Sequence, residues 1–108
     1  MKTIELIKER EDVVINGKTQ EIEIGTLELL DTAINSPAKG GYSVSDMLTR
    51  IKLLDIVREV RKSQEDGNLP TTISFEDADY KILAQLVKET KWSILSRVIL
   101  EFCQSFEK

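Results

Sequence analysis

The chain of 108 residues contains no histidine, one cysteine and two prolines. Without histidine it lacks the commonest general base, the commonest metal ligand and the usual pH switch. Its single cysteine, Cys103, excludes an intrachain disulfide and a cysteine-based zinc site. No stretch approaches the ~20 apolar residues that span a bilayer, and the charged start does not fit a secretory signal. We therefore expect a cytoplasmic protein with no membrane contact, no cofactor and no metal.

The composition is that of a folded globular protein. Hydrophobic residues make up 41% and charged residues 31% of the chain, which argues against disorder. The length fits one domain over residues 1–108. The formal net charge is −4, and an acidic surface repels a nucleic-acid backbone over long range. Nucleic acid is therefore not the expected partner.

Residues 1–25 have the pattern of a β-hairpin region. Residues 2–8 alternate between apolar and polar side chains, as a half-buried strand does. Asn16-Gly17 separates Val13–Ile15 from Lys18–Ile24, and this dipeptide favours the type I′ turn, which needs positive φ at both central residues. We predict a hairpin or a small three-stranded sheet here.

Residues 26–62 predict two helices. The first covers Thr26–Asn35, with Thr26 as its N-cap, and it stops before Pro37, where the connection Ala38–Tyr42 follows. The second opens with a capping box at Ser43 to Asp46 and runs to Lys62. Its apolar residues are Met47, Leu48, Ile51, Leu53, Leu54, Ile56, Val57 and Val60. A stripe this wide must be covered on more than one side, by the rest of the chain or by a partner.

Residues 71–108 predict a strand and two more helices. The strand Thr71–Phe75 either extends the N-terminal sheet or pairs with the same strand of a second molecule. A helix over Glu76–Glu89 follows, and a last helix begins at Ser93. The apolar face of that last helix is formed by Leu95, Val98, Ile99, Phe102 and Phe106. The fold class is therefore α+β, a small antiparallel sheet packed with about four helices.

Four residues are candidates for a partner interface: Tyr42, Met47, Ile56 and Trp92. Trp92 has two interpretations, a lid on the core or an aromatic anchor for a partner. Serines without histidine give no sign of an activated nucleophile, so we do not expect an enzyme.

Two charged clusters have simpler explanations than ligand binding. The candidate basic patch consists of Arg50, Arg58, Arg61 and Lys62. Because cations near a helix C-terminus are favourable without any ligand, we interpret the patch as a solvated face, with phosphate or an acidic partner as the alternative. Glu76, Asp77 and Asp79 lie in the first turn of a helix, where the macrodipole favours acids, so we do not expect them to bind a metal.

Three segments of the sequence resemble proteins of tailed bacteriophages and prophages. INGKTQEIEI (Ile15–Ile24) resembles the opening of phage tail assembly chaperones, and GGYSVSDMLTRIKLLD (Gly40–Asp55) and FEDADYKILAQLVKETKW (Phe75–Trp92) are similar to small phage proteins. The resemblance implies a non-catalytic role in virion assembly as a factor, chaperone or adaptor. The implied partner is another phage protein, with homo-oligomerisation expected and a location in the host cytoplasm or the virion.

Two alternative functions stay open. Thr71–Phe102 resembles the ribbon-helix-helix DNA-binding regulators, whose strand pairs across a dimer and enters the major groove. Here the strand offers Thr71, Thr72 and Ser74 and no basic residue. The small size and acidic charge also fit an inhibitor of a host enzyme.

Overall fold

The asparagine–glycine hairpin forms as the sequence predicts. In the computed structural model, which describes residues 1–36 and 40–106, Asn16 has φ 52° and Gly17 has φ 77°, as a type I′ turn requires. The elements are β1 (Lys2–Glu5), β2 (Lys8–Ile15), β3 (Lys18–Gly25), α1 (Thr26–Asn35), α2 (Val44–Glu65), β4 (Thr72–Phe75), α3 (Asp77–Glu89) and α4 (Arg97–Ser105). The strands form two antiparallel pairs, β1–β4 and β2–β3. The α+β prediction is confirmed.

Three predicted features fall outside the described ranges. These are the stop at Pro37, the part of the connection formed by Ala38 and Lys39, and the last two residues of the chain.

The hairpin begins earlier than its apolar residues indicate. β2 starts at Lys8, five residues before Val13, and Lys8 and Arg10 of this charged segment form ion pairs with Glu21 and Glu23 of β3. Arg10 lies opposite Glu23, and its Nη1 atom is 3.2 Å from Oε1 of Glu21. Cross-strand pairs of opposite charge stabilise a solvated ribbon, so this part of the strand needs no buried face.

Strand β4 pairs with β1 of the same chain. Ile4 lies opposite Ile73, and Lys2 lies opposite Phe75. Ile73 and Phe75 are buried, which gives the pair an apolar inner side. The predicted strand over residues 2–8 is therefore divided, and β4 forms a separate sheet with its first part and does not extend the hairpin.

Thr26 is the first residue of α1, and the prediction that it caps the helix is wrong. The N-cap is Gly25, without a side-chain cap. The Thr26 hydroxyl instead accepts from the backbone N–H of Ile7 at 2.9 Å and donates to the carbonyl of Glu5 at 3.2 Å. A buried hydroxyl needs such partners. These two bonds attach the segment that joins β1 to β2 to the first residue of α1.

Helix α4 begins at Arg97 and not at Ser93 as predicted. Ser96 is its N-cap, and the Ser96 hydroxyl accepts from the N–H of Ile99 at 3.2 Å. Glu11 of β2 binds the same helix end: its Oε1 atom accepts from the N–H of Arg97 at 2.8 Å, and its Oε2 atom accepts from the Ser96 hydroxyl. Leu95, predicted to lie on the apolar face, precedes the helix and is 96% exposed.

The core is formed around α1, which packs against α2, α3 and β3. Its side chains Leu30 and Ala33 are completely buried, as are Leu53 of α2 and Leu83 of α3. The rest of the buried apolar cluster comprises Ile24, Leu27, Leu29, Ile34, Val57, Ile73, Phe75, Leu86, Val87, Val98, Ile99 and Phe102. The predicted apolar face of the last helix is thus confirmed apart from Leu95.

Candidate functional site: an apolar surface on helix α2

Helix α2 carries apolar residues on two sides, and the fold covers one of them. Leu53 and Val57 are buried in the core. Four apolar side chains of the first two turns face away from it and are 43–71% exposed: Val44, Met47, Leu48 and Ile51. These four residues define what we call the α2 outer surface. Isolated exposed apolar residues are ordinary, but a contiguous group is typical of a contact site.

The N-terminal end of α2 is fixed by a cap and an ion pair. The Ser43 hydroxyl accepts from the N–H of Asp46 at 3.0 Å, which is the first of the two bonds of the predicted capping box. The Asp46 carboxylate then turns to Arg50, whose Nε atom donates to its two oxygens at 3.1 and 3.2 Å. The α2 outer surface therefore begins on an ordered helical turn.

Arg50 joins α2 to the end of α1. Its Nη1 atom donates to the carbonyl of Ile34 at 2.9 Å and to that of Ser36 at 2.6 Å. The last carbonyls of a helix have no intrahelical donor, and a guanidinium provides several donors in one plane. Arg50 is 8% exposed and thus acts as a buried cap of α1.

Tyr42 lies beside this cap. The Arg50 guanidinium carbon is 4.8 Å from the centre of the Tyr42 ring, a cation–π distance. The Tyr42 hydroxyl donates to the carbonyl of Asn35. A depression of about 110 Å³ lies here, lined by Ile34, Asn35, Tyr42, Met47, Arg50, Ile51 and Leu54. Two of the predicted interface residues, Tyr42 and Met47, are therefore brought together.

The structure separates the other two predicted interface residues from this surface. Ile56 follows Met47 by nine residues, which places it on the opposite side of the helix, about 180° around the axis. It is half-buried and packs against the core. Trp92 is also half-buried, and its ring lies edge-on to Phe102 with 6.4 Å between centres. Of the four candidates, the structure therefore brings together Tyr42 and Met47, and the lid interpretation describes the contacts of Trp92.

Sequence reasoning missed Val44 and treated Leu48 and Ile51 only as part of a broad stripe. Their spacing was visible, but spacing does not say which side of a helix meets the core. The burial of Leu53 and Val57 decides that question.

The predicted basic patch is smaller than expected. Arg50 must be removed from it, because the guanidinium is buried and bonded to carbonyls. Arg61 contacts Asp31 of α1, with Nη1 3.7 Å from Oδ2. Arg58 and Lys62 are exposed and take part in none of the ion pairs found within residues 1–36 and 40–106.

The acidic residues at the start of α3 contact different cations. The Asp79 carboxylate is buried, and its Oδ2 atom is 3.2 Å from Nζ of Lys52. Oδ1 of Asp77 is 3.2 Å from the N-terminal amine of Met1. Within the described part of the chain, no group of three or more histidine, cysteine, aspartate or glutamate residues is arranged to hold a metal.

A second depression, of about 510 Å³, lies between α3 and α4. Its lining comprises Lys81, Ala84, Gln85, Val87, Lys88, Thr90, Trp92, Cys103 and Phe106. The volume is in the range of small-ligand sites. Its titratable side chains are two exposed lysines and a half-buried cysteine.

The pKa of the Glu11 carboxylate is lowered by its contacts with the N-terminal end of α4. Hydrogen bonds from the Ser96 hydroxyl and then from the N–H of Arg97 hold the pKa of Glu11 below its ordinary value of 4.5. Hydrogen bonds to the ionised form stabilise it. Because Glu11 contacts a helix end, this is a structural link between the hairpin and α4.

Two further findings complete the description. Over residues 1–36 and 40–106, no helix combines the length and the apolar character that crossing a bilayer demands. Comparisons with protein-family models, with curated proteins and with solved structures found no match to this chain.

Proposed function

We propose that this protein is a non-catalytic protein-interaction module that binds a protein partner through the α2 outer surface. The observation that carries the proposal is the exposure of Val44, Met47, Leu48 and Ile51 on one side of an ordered helix. The core already has Leu53 and Val57 from this helix, and the four residues of the α2 outer surface leave 43–71% of their surface uncovered by the chain.

The chemistry of the surface fits a protein and not a small ligand. An amphipathic helix face is recognised by a groove or by another helix, which reads side chains at intervals of three and four residues. The depression beside Tyr42 is about 110 Å³, well below the roughly 300–1,000 Å³ of small-molecule sites. Met47 at its edge suits such a contact, because its flexible thioether adapts to a partner's shape.

We further propose that the partner is a structural protein of a tailed phage, and that the module acts in virion assembly in the host cytoplasm. The resemblance of Ile15–Ile24, Gly40–Asp55 and Phe75–Trp92 to small phage proteins supports this finer proposal. The segment Phe75–Trp92 covers α3. The segment Gly40–Asp55 covers the first half of α2, which carries the α2 outer surface.

The test is capture of partners from the source cell with an immobilised chain. Leu48→Glu places a charge in the centre of the α2 outer surface and should reduce recovery of a specific partner by about tenfold or more, because an unpaired charge in an apolar contact is costly. Leu95→Glu is the matched control, because Leu95 is 96% exposed and lies outside this helix. Circular dichroism must show that both variants keep the parent fold.

Mass spectrometry of the captured protein tests the finer proposal. A phage structural protein recovered with the parent chain and with Leu95→Glu, and lost with Leu48→Glu, is the expected result. Equal recovery with both variants would show that the α2 outer surface is not the binding site.

A further inference from the structure

The exposed side of α2 continues past the α2 outer surface as one regular stripe. Its residues are Val44, Leu48, Ile51, Asp55, Arg58 and Lys62, separated by steps of four, three, four, three and four. This spacing is typical of a coiled coil, in which two helices lie against each other over several turns. We call the line of these six residues the seam of α2. The first three seam residues are apolar, and the last three are charged.

The charges argue against a parallel pair of such helices. In a parallel pair each seam residue faces its own counterpart, so Asp55 would face Asp55 and Arg58 would face Arg58. Like charges in direct opposition across an interface are unfavourable. An antiparallel pair with two-fold symmetry, the commonest symmetry of soluble oligomers, avoids these contacts.

The seam permits one antiparallel register that covers the apolar residues. With the two-fold axis between residues 49 and 50, Leu48 faces Ile51 of the second copy, and Ile51 faces Leu48. Moving the axis half a heptad toward the C-terminus would place Ile51 against the carboxylate of Asp55, and burying that charge is costly. Moving the axis by the same distance toward the N-terminus would leave Ile51 opposite no residue of α2 in the second copy, because that helix begins at Val44.

This register also gives Asp55 a favourable place. Its carboxylate would lie beside Val44 of the second copy, at the N-terminal end of that helix. The partial positive charge of a helix N-terminus stabilises an anion. The acid of the helix's own first turn, Asp46, is paired with Arg50, whereas Asp55 is exposed and takes part in none of the described ion pairs.

We propose that the α2 outer surface binds a second copy of this chain, with the two α2 helices antiparallel and Leu48 against Ile51. The inference rests on the proposed function, since it names one occupant of the same surface. The inference differs from the proposed function in predicting self-association, with a fixed direction and a fixed register of the two helices.

Mass in solution is the first measurement. Sedimentation equilibrium of the purified chain between about 10 µM and 1 mM should show the mean mass rising with concentration from near that of the monomer towards that of the dimer, because an interface this small gives weak pairing. Ile51→Glu should keep the monomer mass over that range, and Leu95→Glu should dimerise as the parent does. A parent chain that stays monomeric throughout, or an Ile51→Glu variant that dimerises equally, would overturn the inference.

Disulfide trapping tests direction and register. In a Cys103→Ser background, chains carrying Val44→Cys are mixed with chains carrying Asp55→Cys under mild oxidation. The antiparallel register predicts the mixed cross-link between the two variants, at least several-fold above either self-cross-link. A dominant self-cross-link of either variant would establish the parallel arrangement and refute the proposal, as would cross-linking no greater than that of Leu95→Cys.

The two proposals can fail separately. A strict monomer that still captures another protein, with Leu48→Glu abolishing the capture, would leave the proposed function standing and remove the second copy. A monomer with no partner that depends on the α2 outer surface would remove both.

Discussion

Replacement of Arg50 tests whether a buried guanidinium joins α1 to α2. Arg50→Met keeps most of the apolar stem and removes all the donors that serve Ile34, Ser36 and Asp46. Arg50→Lys keeps the charge, but a single ammonium cannot serve carbonyls and a carboxylate in the planar arrangement of a guanidinium. The pair of variants therefore separates the hydrogen-bond geometry from the charge.

The expected loss of stability follows from the partners. A hydrogen bond from a charged group contributes about 1.5–3 kcal/mol, and a buried carbonyl left without a donor costs about 1–3 kcal/mol. The Ile34 carbonyl bond is buried, whereas the one to Ser36 is part-buried. The Asp46 side chain is 31% exposed, so water compensates part of its loss. We expect Arg50→Met to lower the free energy of unfolding by about 3–4 kcal/mol and Arg50→Lys by about 1–2 kcal/mol.

Thermal and urea denaturation followed by circular dichroism measure these losses. For a chain of this length 1 kcal/mol corresponds to about 4 °C in Tm, so Arg50→Met should lower Tm by about 12–16 °C. Arg58→Met on the same helix is the matched control and should stay within about 0.5 kcal/mol, because Arg58 is exposed. The reasoning is refuted if Arg50→Met costs no more than Arg58→Met. If Asp46→Asn costs as much as Arg50→Met, the ion pair and not the carbonyl cap stabilises this corner.

Three further predictions concern the hairpin and the core. Because the folded-state pKa of Glu11 lies below 4.5, its ionised form stabilises the fold above that pH, and the contribution is lost as the pH falls through the folded-state value. Glu11→Gln should thus lower the free energy of unfolding near neutral pH, and the difference from the parent should disappear below pH 4.5 in urea titrations. Glu9→Gln, at the exposed neighbouring position, should show no such difference. Leu30→Ala, at a completely buried position, should cost about 2–5 kcal/mol in urea unfolding, whereas Leu95→Ala should cost less than about 0.5 kcal/mol. Gly17→Ala, at φ 77°, should lower stability by about 1 kcal/mol in thermal unfolding, and an unchanged Tm would mean that the turn does not impose this conformation in solution.

Features that depend on neighbouring residues could be predicted from the sequence. The turn at Asn16-Gly17 needs only two residues with positive φ, and the Ser43 cap needs only the N–H three residues on. The inner face of α4 follows from helical periodicity, since Val98, Ile99 and Phe102 recur at the spacing that one buried side requires. In each case the determining contact lies within one or two turns of the chain.

Features set by distant contacts could not be predicted in this way. Ser93 and Ser96 are both acceptable caps for α4, and Glu11, 85 residues before Ser96, binds the helix end that starts after the second. Arg50 is predicted to belong to a basic patch in solvent, but it donates to the carbonyl of Ile34 in α1 and to that of Ser36, the residue after α1. The candidate site could not be located from the sequence for the same reason. The broad apolar stripe on α2 predicts that two sides of the helix are covered, but it does not say which side packs against the core of the same chain.

The energetics of the α2 outer surface connect the two proposals. Burying an aliphatic side chain of this size completely contributes about 1.5–3 kcal/mol. The four side chains are 43–71% exposed in the single chain, so covering them contributes about 1 kcal/mol each, or about 8–10 kcal/mol for two copies. Association costs at least about 4 kcal/mol in lost translational and rotational freedom, which leaves at most about 4–6 kcal/mol and therefore a Kd no tighter than about 40 µM.

A self-contact of that strength shields the apolar side chains only when the protein is concentrated. A different protein that covers the same four residues, and that adds even one well-packed anchor against Tyr42 or a carboxylate near Arg58, would bind more tightly than the second copy. Because the two proposed occupants both need Leu48 and Ile51, binding of the partner and self-association would compete. The weak pairing is therefore compatible with a module whose apolar surface is covered before its partner arrives and is released when the partner binds.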